Sequence, residues 1–263
     1  DFDGVLITGG SVLNFVRNNY SIMWGIKSNL DDNDSPILRA TDLDLVHQAV
    51  LKECATDGTG VVSNPLSCTF DPGTLACSKN NTNQCLSDEK VSAVRKYYDG
   101  PTNSSGEQLY AGQSKGSELG WSRGFFGSPS VMGDYIIEHY RYLLYPEAPG
   151  PSFELSQVDF DEPLETFSDV DTQSAADRVD YEGFKARGGK LLMTYGWNES
   201  SMPGTFPTQY FDRVEQANGG VSATQDFFRL FMVPGNFFCR GGSPAGQGID
   251  LLTAMEAWVE DGR

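Results

Sequence analysis

"FKARGGKLLMTYGW", residues 184–197, decides the fold. It reads as a helix end, a Gly188-Gly189 turn and an apolar run, the pattern of a buried strand. Residues 205–218 then predict a helix with Phe206, Tyr210, Val214 and Ala217 along one face. "DFFRLFMV", residues 226–233, predicts the next strand. Residues 248–260 predict a helix with Leu251, Leu252, Met255, Trp258 and Val259 turned inward. Near the other end, "DGVLIT" at residues 3–8, bounded by Gly9-Gly10, predicts a further buried strand. Strands alternating with helices are the signature of a parallel α/β sheet.

The middle of the chain has another character. A helix is predicted over 41–53, capped by Thr41, with Leu43, Val46, Val50 and Leu51 on one face. A second is predicted over 87–98, where Ser87 precedes Asp88-Glu89 and Val91, Val94 and Tyr98 are apolar. Residues 55–86 are low in regular structure. Residues 146–174 are acidic and Pro-containing, and read as a surface excursion or linker. The middle is expected to be an insertion above the carboxyl ends of the strands, where such sheets bind ligands.

The bulk numbers exclude some partners. The 263 residues suffice for one large domain or two modest ones, and 39% are apolar. A net charge of −17 argues against nucleic acid, which requires a basic footprint. No run of about 18 apolar residues predicts a membrane span. The opening "DFDGVLITGG" reads as mid-domain, with no signal peptide.

Five cysteines are present. Pairs Cys54–Cys68 and Cys77–Cys85 would close small local loops, as in secreted proteins, leaving Cys239 over. Zinc is the weaker reading, since no Cys-x-x-Cys occurs. The sequons at Asn19, Asn80, Asn103 and Asn198 add support for secretion. Glycans are expected at Asn19, Asn80 and Asn103; Asn198 is expected to be buried and unmodified.

The loop after the last strand, "PGNFFCRGG" at residues 234–242, holds no acid, general base or serine. "GQSKG" at 112–116 fits G-x-S-x-G, but a nucleophile elbow needs a strand before it and a helix after it, so Ser114 is not expected to be catalytic. The two histidines, His47 and His139, are read as structural.

Five blocks together resemble the tannase and feruloyl esterase family of secreted α/β-hydrolases: "DFDGVLITGG", "CLSDEKVSAVRKYYDGP", "GSELGW", "FKARGGKLLMTYGW" and "DFFRLFMVPGNFFCRGG". They fall in the family's order and cover nearly the whole chain. The resemblance implies an α/β-hydrolase core with a large inserted lid, a Ser-Asp-His triad and aromatic ester substrates (gallates, ferulates and, in one bacterial branch, terephthalate monoesters). It divides the chain into core segments 1–16 and 176–263 around a lid at 17–175. It also implies a disulfide from Cys239 to a cysteine upstream of Asp1, beside the serine. The chain then looks like a fragment, and a covalent partner chain carrying the N-terminal half is expected.

Departures from the family pattern matter most for function. The family's acid falls on Glu199, and a Glu can serve as a triad acid. Its histidine falls on Phe238, whose ring has no lone pair to accept a proton. Family members usually carry a calcium loop; "CATDGTGVVSNPLSC" is shorter and keeps only Asp57 as the ligand of any residual site. No cofactor is expected. A pocket between lid and core is expected from Trp121, Phe125, Phe126, Trp197, Met202 and Phe237, aromatic and soft surfaces for a planar substrate. Arg123 and Arg240 could bind a carboxylate or phenolate there, although each reads more readily as a solvated surface residue. Three functions remain open. The first is a pocket that binds a bulky aromatic or polyketide-like molecule with hydrolysis lost or redirected to cyclisation or isomerisation. The second is an ordinary secreted esterase with its serine on a missing segment. The third is a non-catalytic binding protein.

Overall fold

The computed structural model describes residues 2–10, 15–78, 84–124, 131–169, 176–237, 241–242 and 249–262, with backbone alone at 123, 124, 131 and 132. Three parallel strands form a sheet in the order β1 (Gly4–Thr8), β2 (Lys190–Gly196), β3 (Phe228–Val233). Val5 pairs with Leu191, and Leu191 with Phe228. All three strands lie where the apolar runs predict them, because a strand covered on both faces needs no polar alternation.

Period two then sorts the side chains of β2. Leu191, Met193 and Tyr195 pack with Phe206, Tyr210 and Val214 of a helix at Thr205–Ala217. Leu192 faces the other way, onto Met255 and Trp258 of a helix at Leu251–Asp261. Each large apolar side chain so buried contributes about 1.5–3 kcal/mol. Two inward assignments fail: Ala217 is exposed, and Leu252 is 61% exposed. Both lie off the arc that touches the sheet.

In chain order the helices are α1 (Phe15–Ser28), α2 (Ala40–Cys54), α3 (Asp88–Asp99), α4 (Glu118–Gly124), α5 (Val131–Tyr142), α6 (Glu182–Lys185), α7 (Thr205–Ala217), α8 (Val221–Gln225) and α9 (Leu251–Asp261). α1 to α5 stand between β1 and β2 and enclose their own core, which includes Tyr20, Met23, Leu43, Val46, Val94, Tyr97, Trp121 and Tyr140. Ser87 caps α3, accepting from the Lys90 N–H at 3.4 Å. The cap of α2 is not Thr41, which lies inside the helix. Arg39 holds that position, and its N–H donates to the Asp42 carboxylate at 2.8 Å.

The segment read as a linker is packed. Phe153, Val158 and Phe167 insert into the helical core, and single turns at Leu155–Gln157 and Leu164–Thr166 set them. Both predicted disulfides form, Cys54–Cys68 across 14 residues and Cys77–Cys85 across 8. Cys239 and Asn80 lie outside the described residues.

Candidate active site at the carboxyl ends of the strands

The exits of the three strands are laced together. The Gly9 N–H donates to Thr194 O at 2.9 Å, Trp197 N–H to Val233 O at 3.0 Å, and Asn198 N–H to Asn236 O at 2.9 Å. Position 196 must be glycine, since a Cβ there would stand 2.2 Å from Asn236 O and 2.4 Å from Phe237 O. The two loops, 197–204 after β2 and 234–242 after β3, therefore meet at backbone distance.

Glu199 sits in the first of these loops, 7% exposed. Its Oε1 accepts the Ser201 N–H at 2.7 Å and the Ser201 hydroxyl. Trp197 beside it is 5% exposed. Met202 is half-buried, and its carbonyl accepts the Tyr195 hydroxyl at 2.7 Å. Phe237 is half-buried in the second loop. The structure thus gathers Trp197, Glu199, Met202 and Phe237 around the strand exits. Phe238 and Arg240 of the same loop lie outside the described residues, as do Phe125 and Phe126; the Arg123 side chain is likewise undescribed.

Trp121 does not join them. Its indole is fully buried, stacked on Tyr97 at 4.6 Å and edge-on to Tyr98 at 5.3 Å, with its N–H on Ser117 Oγ at 3.0 Å. Enclosed on these sides, it is a core residue of the helical layer and offers no face to a ligand. Ser114 lies in a turn between α3 and α4 with no strand before it, 1% exposed.

The segment 112–120 reaches from the helical layer to the Glu199 loop. Asn198 Nδ2 donates to Gly116 O at 2.6 Å, Gln113 Nε2 to Ser200 O at 2.7 Å, and the Thr205 hydroxyl to Gly112 O at 2.6 Å. Because Asn198 Nδ2 is spent on this bond and half-buried, its sequon is closed in the folded protein.

Behind Gly116 stands a residue that sequence reasoning missed. Glu118 is completely buried. Its Oε2 lies 2.6 Å from His47 Nδ1; its Oε1 accepts the Tyr98 hydroxyl at 2.7 Å and the Gly116 N–H at 2.6 Å. Burial, and then the neighbouring Glu118 charge, push the Tyr98 phenol well above its ordinary range, so it remains a donor. The signal available in the sequence was an acid inside the otherwise small and aromatic block "GSELGW". His139 is engaged elsewhere, 2.9 Å from Asn19 Oδ1.

Asp57 does not fit a calcium site. Its Oδ1 accepts from Thr59 N–H at 3.0 Å and from the Thr59 hydroxyl at 2.5 Å, and its Oδ2 from the Ser63 hydroxyl. The Ser63 bond first, and then Thr59, hold its carboxyl down at about 2. Both oxygens serve the loop itself. Among the described residues no cluster of three or more His, Cys, Asp or Glu could hold a metal.

Parallel strands, helices on both faces and a loop-built site at the carboxyl ends define an α/β-hydrolase fold. Solved structures share it over the full length of the chain. Feruloyl esterase B from Aspergillus oryzae superposes with a TM-score of 0.81 at 21% identity, covering 100% of this chain and 55% of that one. A tannin acyl hydrolase from Aspergillus niger gives 0.74 at 19% identity, covering 100% and 52%. The family profile described as tannase and feruloyl esterase matches residues 1–263, and the chain belongs to that family. It is 32% identical over 281 residues to a mono(2-hydroxyethyl) terephthalate hydrolase from Piscinibacter sakaiensis, covering 89% of this chain and 46% of that protein. It is 28% identical to an uncharacterized esterase from Xanthomonas campestris, covering 99% and 52%. The chain spans about half the length of these relatives.

Proposed function

We propose that the complete protein binds a bulky aromatic or polyketide-like molecule between a lid, residues 17–175, and an α/β core that includes 1–16 and 176–263. We further propose that serine-type ester hydrolysis is lost or redirected there. One observation carries this. The chain has two histidines, both in the helical layer, one on Glu118 and one on Asn19; the family resemblance puts the base at Phe238. Hydrolysis needs a group that takes the serine proton and returns it to the leaving alcohol. A phenyl ring does neither. Losing such a base leaves only about 10³–10⁴ of rate over water, from oxyanion stabilisation and binding. A reaction driven by positioning, such as cyclisation or isomerisation, needs no base at that place.

Trp197, Met202 and Phe237 are proposed to line the core side of the pocket, with Phe125 and Phe126 on the lid side. Glu199 is the acid of the site. Secretion is part of the proposal and is supported by the two disulfides. So is a covalent partner segment bearing the serine, joined through Cys239, the cysteine outside both pairs. An apolar groove of about 560 Å³ on the α9 side of the sheet, lined by Leu192, Phe231, Ile249 and Trp258 among others, supports further packing against this half.

A second reading, an active secreted ester hydrolase, is favoured by the 32% identity to the terephthalate monoester hydrolase. A third is a non-catalytic binding protein. Turnover of methyl ferulate and methyl gallate by the complete protein, native and Phe238→His in parallel, separates the first two. An inactive native protein that gains turnover with Phe238→His supports the main proposal; native turnover at ordinary esterase rates overturns it.

A further inference from the structure

We propose that His47 and Glu118 are positioning residues for Glu199, acting through Gly116 and Asn198; this rests on the reading of Glu199 as the acid of the site. The chain of contacts is continuous. His47, on α2, bonds Glu118 on α4. The other Glu118 oxygen takes the Gly116 N–H at 2.6 Å, and the Gly116 carbonyl takes Asn198 Nδ2 at 2.6 Å. Asn198 is the residue before Glu199, and its own N–H is tied to Asn236.

Gly116 is the hinge of this chain. Its φ of +104° is open to glycine and costly to other residues, and a Cβ there would press to 3.3 Å from Val62. Only with this backbone do its N–H and carbonyl serve Glu118 and Asn198 at once. On the far side of Glu199, Ser200 is gripped by the same segment. Its carbonyl accepts from Gln113, and a Cβ on Gly120 would stand 2.9 Å from its hydroxyl. Both neighbours of Glu199 are therefore held by residues 113–120, and Glu118 fixes that segment from behind.

A fully buried carboxylate is a costly way to pack two helices, since an apolar side chain would serve as well. Glu118 has three donors because Gly116 needs an acceptor at that point and α2 and α3 supply the rest. The arrangement passes helix packing on to the place where the Glu199 loop leaves β2.

Hydrogen exchange on the complete protein, read by mass spectrometry, tests this without any turnover. The amides of Trp197, Asn198, Glu199 and Ser201 are all bonded and so give a protected starting point. His47→Ala should speed exchange across 197–201 by about tenfold while 190–196 stays protected. His47→Asn, whose side-chain amide replaces Nδ1, should restore protection. In an Asn198→Ala background, His47→Ala should add nothing to 197–201, the mark of a shared path. If His47→Ala does not fold, His47→Gln keeps the bulk and displaces the donor. Loosening confined to α2 and α4, or additive effects in the double variant, overturns the proposal. Glu199→Gln, assayed for ligand affinity and turnover, tests the underlying reading separately. A silent Glu199→Gln with coupled exchange removes the role of Glu199 and leaves the mechanical coupling in place.

Discussion

His139 Nδ1 lies 2.9 Å from Asn19 Oδ1, joining α5 to α1, and Asn19 Nδ2 donates back to Phe15 O at 2.6 Å. An amide oxygen only accepts, so the His139 proton is on Nδ1. Asn19 is 1% exposed, inside a helix, with both ends of its amide used. The sequon there is therefore closed, contrary to the expectation from the triplet alone. Peptide mapping of protein from a eukaryotic secretory host should find Asn19 unmodified. Asn103 should carry any glycan of the described residues: its Nδ2 bonds only the exposed Glu107 carboxylate of its own turn, at 3.1 Å, whereas the Asn198 amide is tied across the fold to the Gly116 backbone.

The same pair sets a pH dependence. Burial holds the His139 imidazole below its ordinary 6.5, so the folded state favours the neutral ring. Protonation then favours unfolding. The contribution is complete above pH 6.5 and is lost as the pH falls through the lower folded value. The thermal midpoint should fall between pH 7 and 5, and His139→Gln should flatten part of that fall.

Trp121→Ala should cost about 3–5 kcal/mol of stability, measured by urea unfolding of the complete protein. The indole leaves a void against Tyr97 and Tyr98 that the surrounding helices fill poorly.

The two disulfides close loops of different length. In the chain-entropy account, a loop of 14 residues restricts the unfolded chain by about 3 kcal/mol, and one of 8 by slightly less. Replacing Cys54 and Cys68 by Ser should lower the urea midpoint more than replacing Cys77 and Cys85.

Calcium should not matter to the Asp57 loop. With both carboxylate oxygens bonded to Thr59 and Ser63, EDTA or millimolar calcium should leave the thermal midpoint of that region unchanged. Asp57→Asn should instead remove a contribution that is full above pH 3.8 and lost toward about 2, because the folded carboxyl is held low.

Much of the core was legible in sequence. Leu191 to Tyr195 could only be a covered strand, and Ser87 ahead of two acids could only begin a helix. α1 was not legible. Val16, Tyr20, Ile22, Met23 and Ile26 do share one buried face, but Asn19 is buried within that stripe, and the Asn, Ser and Gly residues along the helix weaken its local helix signal. The pocket residues divided the same way. Trp197 and Phe237 follow strands and go where strand ends go. Trp121 follows no such rule: its neighbours Tyr97 and Tyr98 belong to another helix, α3, and only the packing of α4 on α3 brings them together.

By itself the sequence determined the strand segments, the capped α3 and the two disulfides, because each depends on residues within about twenty positions of one another. It also determined the absence of a histidine at position 238. Only the tertiary structure decided that Trp121 is core, that Asn19 is closed, and that Glu118 stands behind the Glu199 loop. Those outcomes depend on which helix faces meet across the fold, and a buried carboxylate or indole carries no local mark of the partner that covers it.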